Sequence, residues 1–433
     1  MTSDTTSAKR PPTPRTPTVS ASDPALPQTQ LSGAPSSHPR DGLLGVVLSV
    51  LTIFGPISID LYLPVLPALT RELGASTSAA QLTVTACLVG LALGQLVAGP
   101  LSDRFGRRRP LLLGVAAFIV ASVLCALAPT ITALVVARLV QGLAGAVGIV
   151  IAQAAGRDLY SGAMLMRYYG RLTVLGGLAA VVGPVVGGQL ARVTDWRGTF
   201  VFLAACGVAI LLLSMGLVRE TLPPTRRHTG GLSHSMRVFR HLLRDRVLVG
   251  AVLVTGLTNA ALFAYLSGAT FVLQGIYGLS PQGYSYAFAL NSFGFMAFGF
   301  LASRAAERFS VRGTLLVGLA LVVLGSLGVL AAATLACPLA VMLGSLFTLV
   351  SGVAVTTPPA TSLALEHHRD AAGSASALLG TARFAFGGIT APLVGLAGAR
   401  TAVPLGVVTA LAATASLMGY VLLRRQTKLP VAP

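Results

Sequence analysis

An all-α membrane protein of twelve transmembrane helices, arranged as two pseudo-symmetric six-helix bundles, is the fold class this sequence predicts. Three observations predict it. Only 10% of the residues are charged against 54% hydrophobic, whereas a soluble domain carries about 25% charged residues. The apolar text falls into runs of about 20 residues, the length that crosses a bilayer core about 30 Å thick. A short basic motif between two of these runs has a weaker copy in the second half of the chain.

In chain order, residues 1–42 are rich in Pro, Ser and Thr and read as a disordered tail. No apolar core lies near Met1, so the tail is not a signal peptide and the first span is expected to stay as a helix. Apolar runs follow near 44–68, 79–101, 110–128, 130–155, 168–190 and 199–218, forming an N-terminal bundle over 43–218. A basic linker, 219–246, separates these from runs near 247–270, 284–303, 313–335, 337–361, 372–396 and 402–423, a C-terminal bundle over 247–424 with a final tail at 425–433. Gly and Pro inside several runs are compatible with spans, because neighbouring helices recover the freed backbone groups.

The formal net charge of +18 raises a nucleic-acid partner as a question, and the distribution answers it. With the N-terminus placed inside, only Arg71, Arg192, Arg197 and Arg400 fall outside and Arg138 and Arg383 within spans; the rest of the 31 Lys and Arg lie on the inner side. That is the positive-inside asymmetry of a multi-pass protein with both termini cytoplasmic, and a patch for anionic membrane lipid rather than for nucleic acid. Cys87, Cys125, Cys206 and Cys337 all lie in or at the edge of spans and read as packing residues. The sequence holds no nucleophile elbow, phosphate loop or metal-ligand spacing, so neither an enzyme nor a metal cofactor is expected.

The halves look related. Asp103-Arg-Phe-Gly-Arg-Arg-Arg-Pro-Leu-Leu-Leu-Gly114 lines up without gaps on Glu307-Arg-Phe-Ser-Val-Arg-Gly-Thr-Leu-Leu-Val-Gly318, and Gly183-Pro-Val-Val-Gly187 resembles Ala391-Pro-Leu-Val-Gly395. An even number of spans per repeat makes the repeats parallel, related by an axis along the membrane normal, as in a transporter whose site lies between its halves.

Four constellations carry candidate function. In Gly99-Pro-Leu-Ser-Asp103-Arg104-Phe-Gly-Arg107-Arg108, Gly99 would allow close helix approach, and the charge cluster would latch neighbouring helices in one state and release them in another; Glu307, Arg308 and Arg312 are the second copy. A plain stop-transfer loop is the simpler reading. Gly183-Pro184-Val-Val-Gly187-Gly188 places small residues on one face and removes a backbone donor, which predicts a bent helix packed closely on a partner. Asp60 is the one carboxylate well inside a span, where an ionised group costs several kcal/mol and should be neutralised or paired; it reads as a proton carrier or as a static cap near Pro56 and Pro64. At 1.5 Å per residue, Asp60 lies roughly 24 Å from the inner end of span one and Arg138 roughly 18 Å from the inner face, so the two are expected to interact in one conformation.

Arg383 lies near the midplane of span eleven. Two arginines that cannot realistically deprotonate facing one carboxylate disfavour a permanent cation and suit neutral, zwitterionic or weakly anionic substrates. Tyr62, Gln81, Gln95, Asn259, Tyr265, Gln274 and Asn291 are the candidate neutral residues lining a substrate cavity.

These residues resemble the major facilitator superfamily. The Gly99–Gly114 loop, Arg138-Leu-Val-Gln-Gly142 and Gly183–Gly188 are similar to its proton-antiporter signatures. Ile59-Asp-Leu-Tyr-Leu-Pro-Val-Leu-Pro67, Arg157-Asp-Leu-Tyr160, Glu220-Thr-Leu-Pro-Pro224, Tyr265-Leu-Ser-Gly268 with Phe271-Val272, Ala372-Gly-Ser-Ala-Ser-Ala377 and Gly380-Thr-Ala-Arg383-Phe384 resemble the bicyclomycin-resistance and chloramphenicol-efflux family of drug:proton antiporters. One departure is Thr270, where the family pattern has proline; the long N-terminal tail is another. The resemblance implies a major facilitator fold in a bacterial inner membrane, working as a monomer without cofactor. It implies alternating access by rocking of the two bundles, with spans one, four, seven and ten lining the cavity. Export of small drug-like molecules such as phenicols or bicyclomycin-like compounds would be driven by the proton gradient, with Asp60 and Arg138 in proton coupling and Arg383 in the cavity. Proton-coupled import, or facilitated passage, of a small metabolite is the alternative on the same fold.

Overall fold

Length and caps account for the helices. In the computed structural model the described residues are Thr2, 39–160, 162–227, 231–308, 310–366, 372–396, 398 and 401–425; the expected tails lie outside them except for Thr2 and the start of the first helix. The first half comprises α1 (Pro39–Asp60), the short α2 (Leu66–Glu72), α3 (Thr77–Phe105), α4 (Arg108–Ala126), α5 (Ile131–Leu159), α6 (Gly162–Val193) and α7 (Trp196–Leu217). The second comprises α8 (Gly231–Leu242), α9 (Arg246–Phe271), α10 (Pro281–Arg308), α11 (Val311–Thr334), α12 (Leu339–Glu366), α13 (Ala372–Thr390) and α14 (Val403–Arg425). No strand occurs among the described residues. Among the described residues, eleven helices are long and apolar enough to cross a membrane. The twelfth expected span is α6, whose described apolar stretch, Leu178–Val193, is shorter.

Side-chain caps open several of these helices. Ser76 accepts from the Ala79 amide, Thr130 from Ala133, Asp195 from Gly198 and Ser310 from Gly313. Each satisfies an amide that the helix ladder leaves without a partner. Two departures from the expected spans matter. The first span is not continuous: α1 stops at Asp60, the chain turns through Leu61 and Tyr62 into a 3-10 segment at Leu63–Val65, and α2 resumes the climb. The linker is not wholly loop either, since α8 buries Phe239 and Leu242 against the ends of α3 and α13.

Within the first bundle α3 packs along α5, and α4 lies against α5 and α7. In the second, α9 packs on α13 and α14, α11 on α12 and α14, and α10 on α12. The bundles meet along two seams, α3 against α13 and α6 against α10. Small residues set the approach of α3 to α5. A Cβ on Gly142 would collide with the Cys87 carbonyl oxygen, and one on Gly90 with the Leu139 carbonyl. Gly99, expected to serve close approach, does not: a Cβ there would meet only Val150, at 3.9 Å.

That contrast is testable. Gly142→Ala should destabilise the protein by about 1–3 kcal/mol through overpacking, whereas Gly99→Ala should be neutral or slightly stabilising through helix propensity. Unfolding midpoints of the two variants in detergent check this; equal loss at both positions would contradict the packing argument.

Candidate functional site

The break in α1 is the centre of the candidate site. Pro64 has no N–H, so the Asp60 carbonyl loses its ordinary i+4 donor just where the helix stops. Asp60 is half-buried, while Ile59, Leu61 and Tyr62 beside it are buried. Its Cβ sits close to Gly183 of α6: a Cβ placed on that glycine would lie 3.1 Å away. From the second bundle, Tyr265 on α9 and Tyr284 on α10 lie within electrostatic reach of the carboxylate. The Tyr265 hydroxyl accepts from Asn291 Nδ2 at 2.9 Å, and the buried Tyr284 hydroxyl has no hydrogen-bond partner. Among the described residues, no ion pair or hydrogen bond reaches the Asp60 carboxylate.

Arg138 meets the same helix from the other side. Its Nη1 donates to the Ser58 carbonyl at 3.3 Å and to Gln141 Oε1 at 2.6 Å. The guanidinium carbon lies 4.9 Å from the centre of the Tyr62 ring and 5.6 Å from that of Phe200. Gln141 passes the chain on to Ser122 Oγ at 2.7 Å. Arg138 is fully buried, and its Nε and Nη2 have no partner. Ser58 and Tyr62 are four residues apart and share one helix face, whereas Asp60, two residues on, points about 200° around the axis. In this conformation the expected Asp60–Arg138 contact is therefore not made. The arginine holds the backbone and ring on either side of Asp60, and the carboxylate faces the seam between the bundles.

Three residues of the small-residue motif in α6 press on two partners. Gly187 abuts the Leu61 carbonyl, Gly188 abuts Ser285 on α10, and Gly183 abuts Asp60; a Cβ on either of the first two would collide. Helix α6 continues unbroken through Pro184. Arg383, half-buried on α13, shares a helix face with Gly380, packed on Gln95 of α3, and with Gly387, packed on Phe263 of α9. Its guanidinium has no hydrogen bond or ion pair among the described residues. Asp60 and Arg383 thus stand in the inter-bundle region as two ionisable groups with no ion-pair or hydrogen-bond partner among the described residues.

The seven neutral candidates are placed in several distinct settings. Tyr62 is buried inside the first bundle, with its hydroxyl 2.8 Å from Thr83 Oγ1. Gln81 donates to the Ser267 carbonyl at 3.3 Å, and Gln274 donates to the Pro64 carbonyl at 3.1 Å. Asn259 turns back to the Thr255 carbonyl of its own helix at 2.9 Å. Gln95 is buried beneath Gly380, while Tyr265 and Asn291 bond each other near Asp60. Polar type inside a span identified residues that need a partner; it did not distinguish lining from seam, because both satisfy polar groups. Tyr284 was missed for a related reason: with Tyr286 and Phe288 close by, nothing in the sequence marks which of these rings turns toward Asp60.

At the basic end, the Asp103 loop is an ion-pair network that joins the first bundle to the start of the linker. Arg107 binds Asp103 Oδ1 at 2.5 Å, Asp158 Oδ2 at 2.9 Å and Ser102 Oγ at 2.7 Å. Gly106 adopts φ +87°, a left-handed turn that brings the Arg107 and Arg108 amides onto the Glu220 carboxylate at 2.7 and 3.3 Å. Arg108 reaches the Val218 and Met215 carbonyls, both at 2.9 Å. Burial opposes the charge on Arg107, but Asp158 and Asp103 hold it above the usual arginine range. Arg104 is exposed and stacks on Phe105. Arg308 and Arg312 are exposed, and the Glu307 side chain lies outside the described residues. Asp158 and Glu220 had been read only as parts of family motifs; their signal was a carboxylate at the end of a span on the side crowded with arginine.

Partial burial pushes the Glu220 carboxyl up, yet three backbone amides and Arg227 outweigh it and hold the group below its ordinary value of 4.5. A depressed carboxylate contributes stability that is present above its unfolded value and lost as pH falls through the folded one. Glu220→Gln should therefore be less stable than wild type near neutral pH, with the gap closing below pH 4.5. Thermal unfolding in detergent across pH checks this; a gap independent of pH would contradict it.

Comparison with known proteins gives the same fold. A family model described as Major Facilitator Superfamily matches residues 48–392. The chain is 36% identical over 367 residues to an uncharacterized transporter of the same superfamily, YdgK of Bacillus subtilis, covering 84% of this chain and 91% of that protein. It is 28% identical to a bicyclomycin resistance protein homolog of Haemophilus influenzae, over 83% of this chain and 90% of that one. Among solved structures, a POT family transporter in complex with a thioalcohol-conjugated peptide superposes with a TM-score of 0.71 at 13% identity, over 90% of this chain and 97% of that one.

Proposed function

The chain belongs to the Major Facilitator Superfamily, and from that premise we propose that it exports small drug-like molecules across a bacterial cytoplasmic membrane in exchange for protons. The observation that carries the reading is the placement of the hydrogen bonds between the bundles. Those given by the described residues join Gln81 to Ser267, Thr270 to Leu63, Gln274 to Pro64, Gln282 to Gly188 and Gln189 to Tyr286, all at the end opposite the basic loops. The positive-inside rule makes that end external. The molecule is then closed outside, with Asp60 half-buried behind the closed seam.

Proton coupling follows from desolvation. Closing the outer end encloses Asp60 against Gly183, Tyr265 and Tyr284, with no cation paired to it among the described residues. An ionised carboxylate enclosed in this way costs about 3 kcal/mol or more in a membrane interior, and a protonated one costs far less. Proton uptake from outside therefore permits outer closure, and release to the cytoplasm favours reopening. The proton travels inward on one stroke and the bound drug outward on the other. Arg138 anchors α1 through Ser58 and Tyr62, so that the carboxylate keeps its orientation in the seam. Arg383 supplies a fixed positive charge to the substrate, favouring neutral, zwitterionic or weakly anionic molecules that carry hydrogen-bond acceptors.

The name of the Haemophilus influenzae relative supports bicyclomycin-like compounds as a substrate class to test, with phenicols beside them. In an efflux-deficient bacterial host at matched expression, wild type should raise the inhibitory concentration of at least one such neutral drug, and Asp60→Asn should return it to the level of the empty host. Arg383→Ala should weaken resistance to acceptor-rich drugs while leaving protein levels unchanged. Uphill pumping by Asp60→Asn with normal proton movement would overturn the coupling assignment. Concentrative uptake by wild type would replace export with import.

A further inference from the structure

Pro67 does more than interrupt a helix. It stands four residues after Leu63 and three after Pro64, and having no N–H it cannot donate to either carbonyl. The Leu63 carbonyl keeps one bond, from the Leu66 amide in the 3-10 turn. The Pro64 carbonyl stands just before α2, whose ladder begins at Leu66. Both carbonyls are enclosed, since Leu63 and Pro64 are buried. A buried backbone acceptor that lacks its partner is costly, most of all inside a membrane.

The opposite bundle supplies a donor to each of these carbonyls. Thr270 Oγ1 donates to the Leu63 carbonyl at 2.9 Å, and Gln274 Nε2 donates to the Pro64 carbonyl at 3.1 Å. Gln274 Nε2 also lies 2.9 Å from Thr270 Oγ1, tying the two donors together. Thr270 is fully buried, so its hydroxyl has no water to fall back on. Beyond Phe271 the helix widens into a π-helical turn, Val272–Ile276, which carries Gln274; such turns occur often at functional sites. Thr270 is also the position the family pattern fills with proline, which has no hydroxyl to give.

We infer that Thr270 and Gln274 are positioning residues for alternation: they latch the outer end shut by completing the hydrogen bonding of the α1 break, and opening that end requires both carbonyls to exchange protein donors for water. The inference rests on the alternation between bundles proposed above but not on the direction of export. A distance between bundles can be read with no drug present, so the failure of one claim is distinguishable from the failure of the other.

The experiment places spin labels at Leu127→Cys and Leu335→Cys, exposed positions at the outer ends of the two bundles, in full-length protein with the four native cysteines replaced by alanine. Distances are measured by double electron–electron resonance in lipid nanodiscs. Thr270→Val, which removes the hydrogen bond to the Leu63 carbonyl, should lower the closed-to-open ratio at the outer end about two- to twelvefold. Thr270→Ser, which keeps the hydroxyl, should restore the wild-type distribution. Gln274→Met is read in the same way and keeps the inference falsifiable should Thr270→Val not fold. An unchanged distribution in both Thr270→Val and Gln274→Met, or an equal shift in Thr270→Ser, would overturn it.

Discussion

A carbonyl or a charge inside a membrane must find its partner in the protein, and the organisation of this molecule follows from where the chain deliberately lacks one. Between Asp60 and Pro67 the prolines interrupt the helix ladder. Other helices then converge on the break. Arg138 of α5 takes the Ser58 carbonyl and the Tyr62 ring, glycines of α6 close against Asp60 and Leu61, and Thr270 and Gln274 reach across from the second bundle. One local defect in hydrogen bonding thus ties together both halves of the protein at the depth where its lone intramembrane carboxylate sits.

Close approach is what makes the convergence possible. A glycine faces a carbonyl where α3 meets α5 and where α6 meets α1, and on Gly188 even a methyl group would displace Ser285 of the other bundle. Such contacts have a narrow tolerance: packed surfaces of this kind hold one of a few discrete arrangements rather than deform continuously. A seam built from them can be open or shut, which is the property that alternating access requires.

Charges are handled oppositely at the two places where they cluster. At the basic end, Arg107 pairs with Asp103 and Asp158 and its backbone amide donates to Glu220, so this network ties the first bundle to the start of the linker in the present conformation. In the seam, Asp60 and Arg383 have no ion-pair or hydrogen-bond partner among the described residues. Unpaired charges there are unfavourable unless a proton or a substrate compensates them, which is why the inter-bundle region rather than the arginine-rich loop is the place to look for coupling.

Sequence alone determined the helical membrane class and the spans to within a few residues, and it singled out Asp60, Arg138, Arg383 and the Gly183–Gly188 stripe as candidates. These are legible because the bilayer imposes length, apolarity and charge asymmetry on every span independently of its neighbours. Tertiary structure decided the rest. Asp60 turns away from Arg138 because Ser58 and Tyr62 occupy the helix face that meets the arginine. Tyr62 bonds Thr83 within the first bundle, while Gln81 and Gln274 bond carbonyls across the bundles; Gly99 is open; Asp158 and Glu220 complete the loop network; and Thr270 caps a carbonyl 207 residues away in the chain. A polar side chain in a span announces that it needs a partner, but which partner depends on helix rotation and on contacts distant in sequence, and those exist only once the helices have packed.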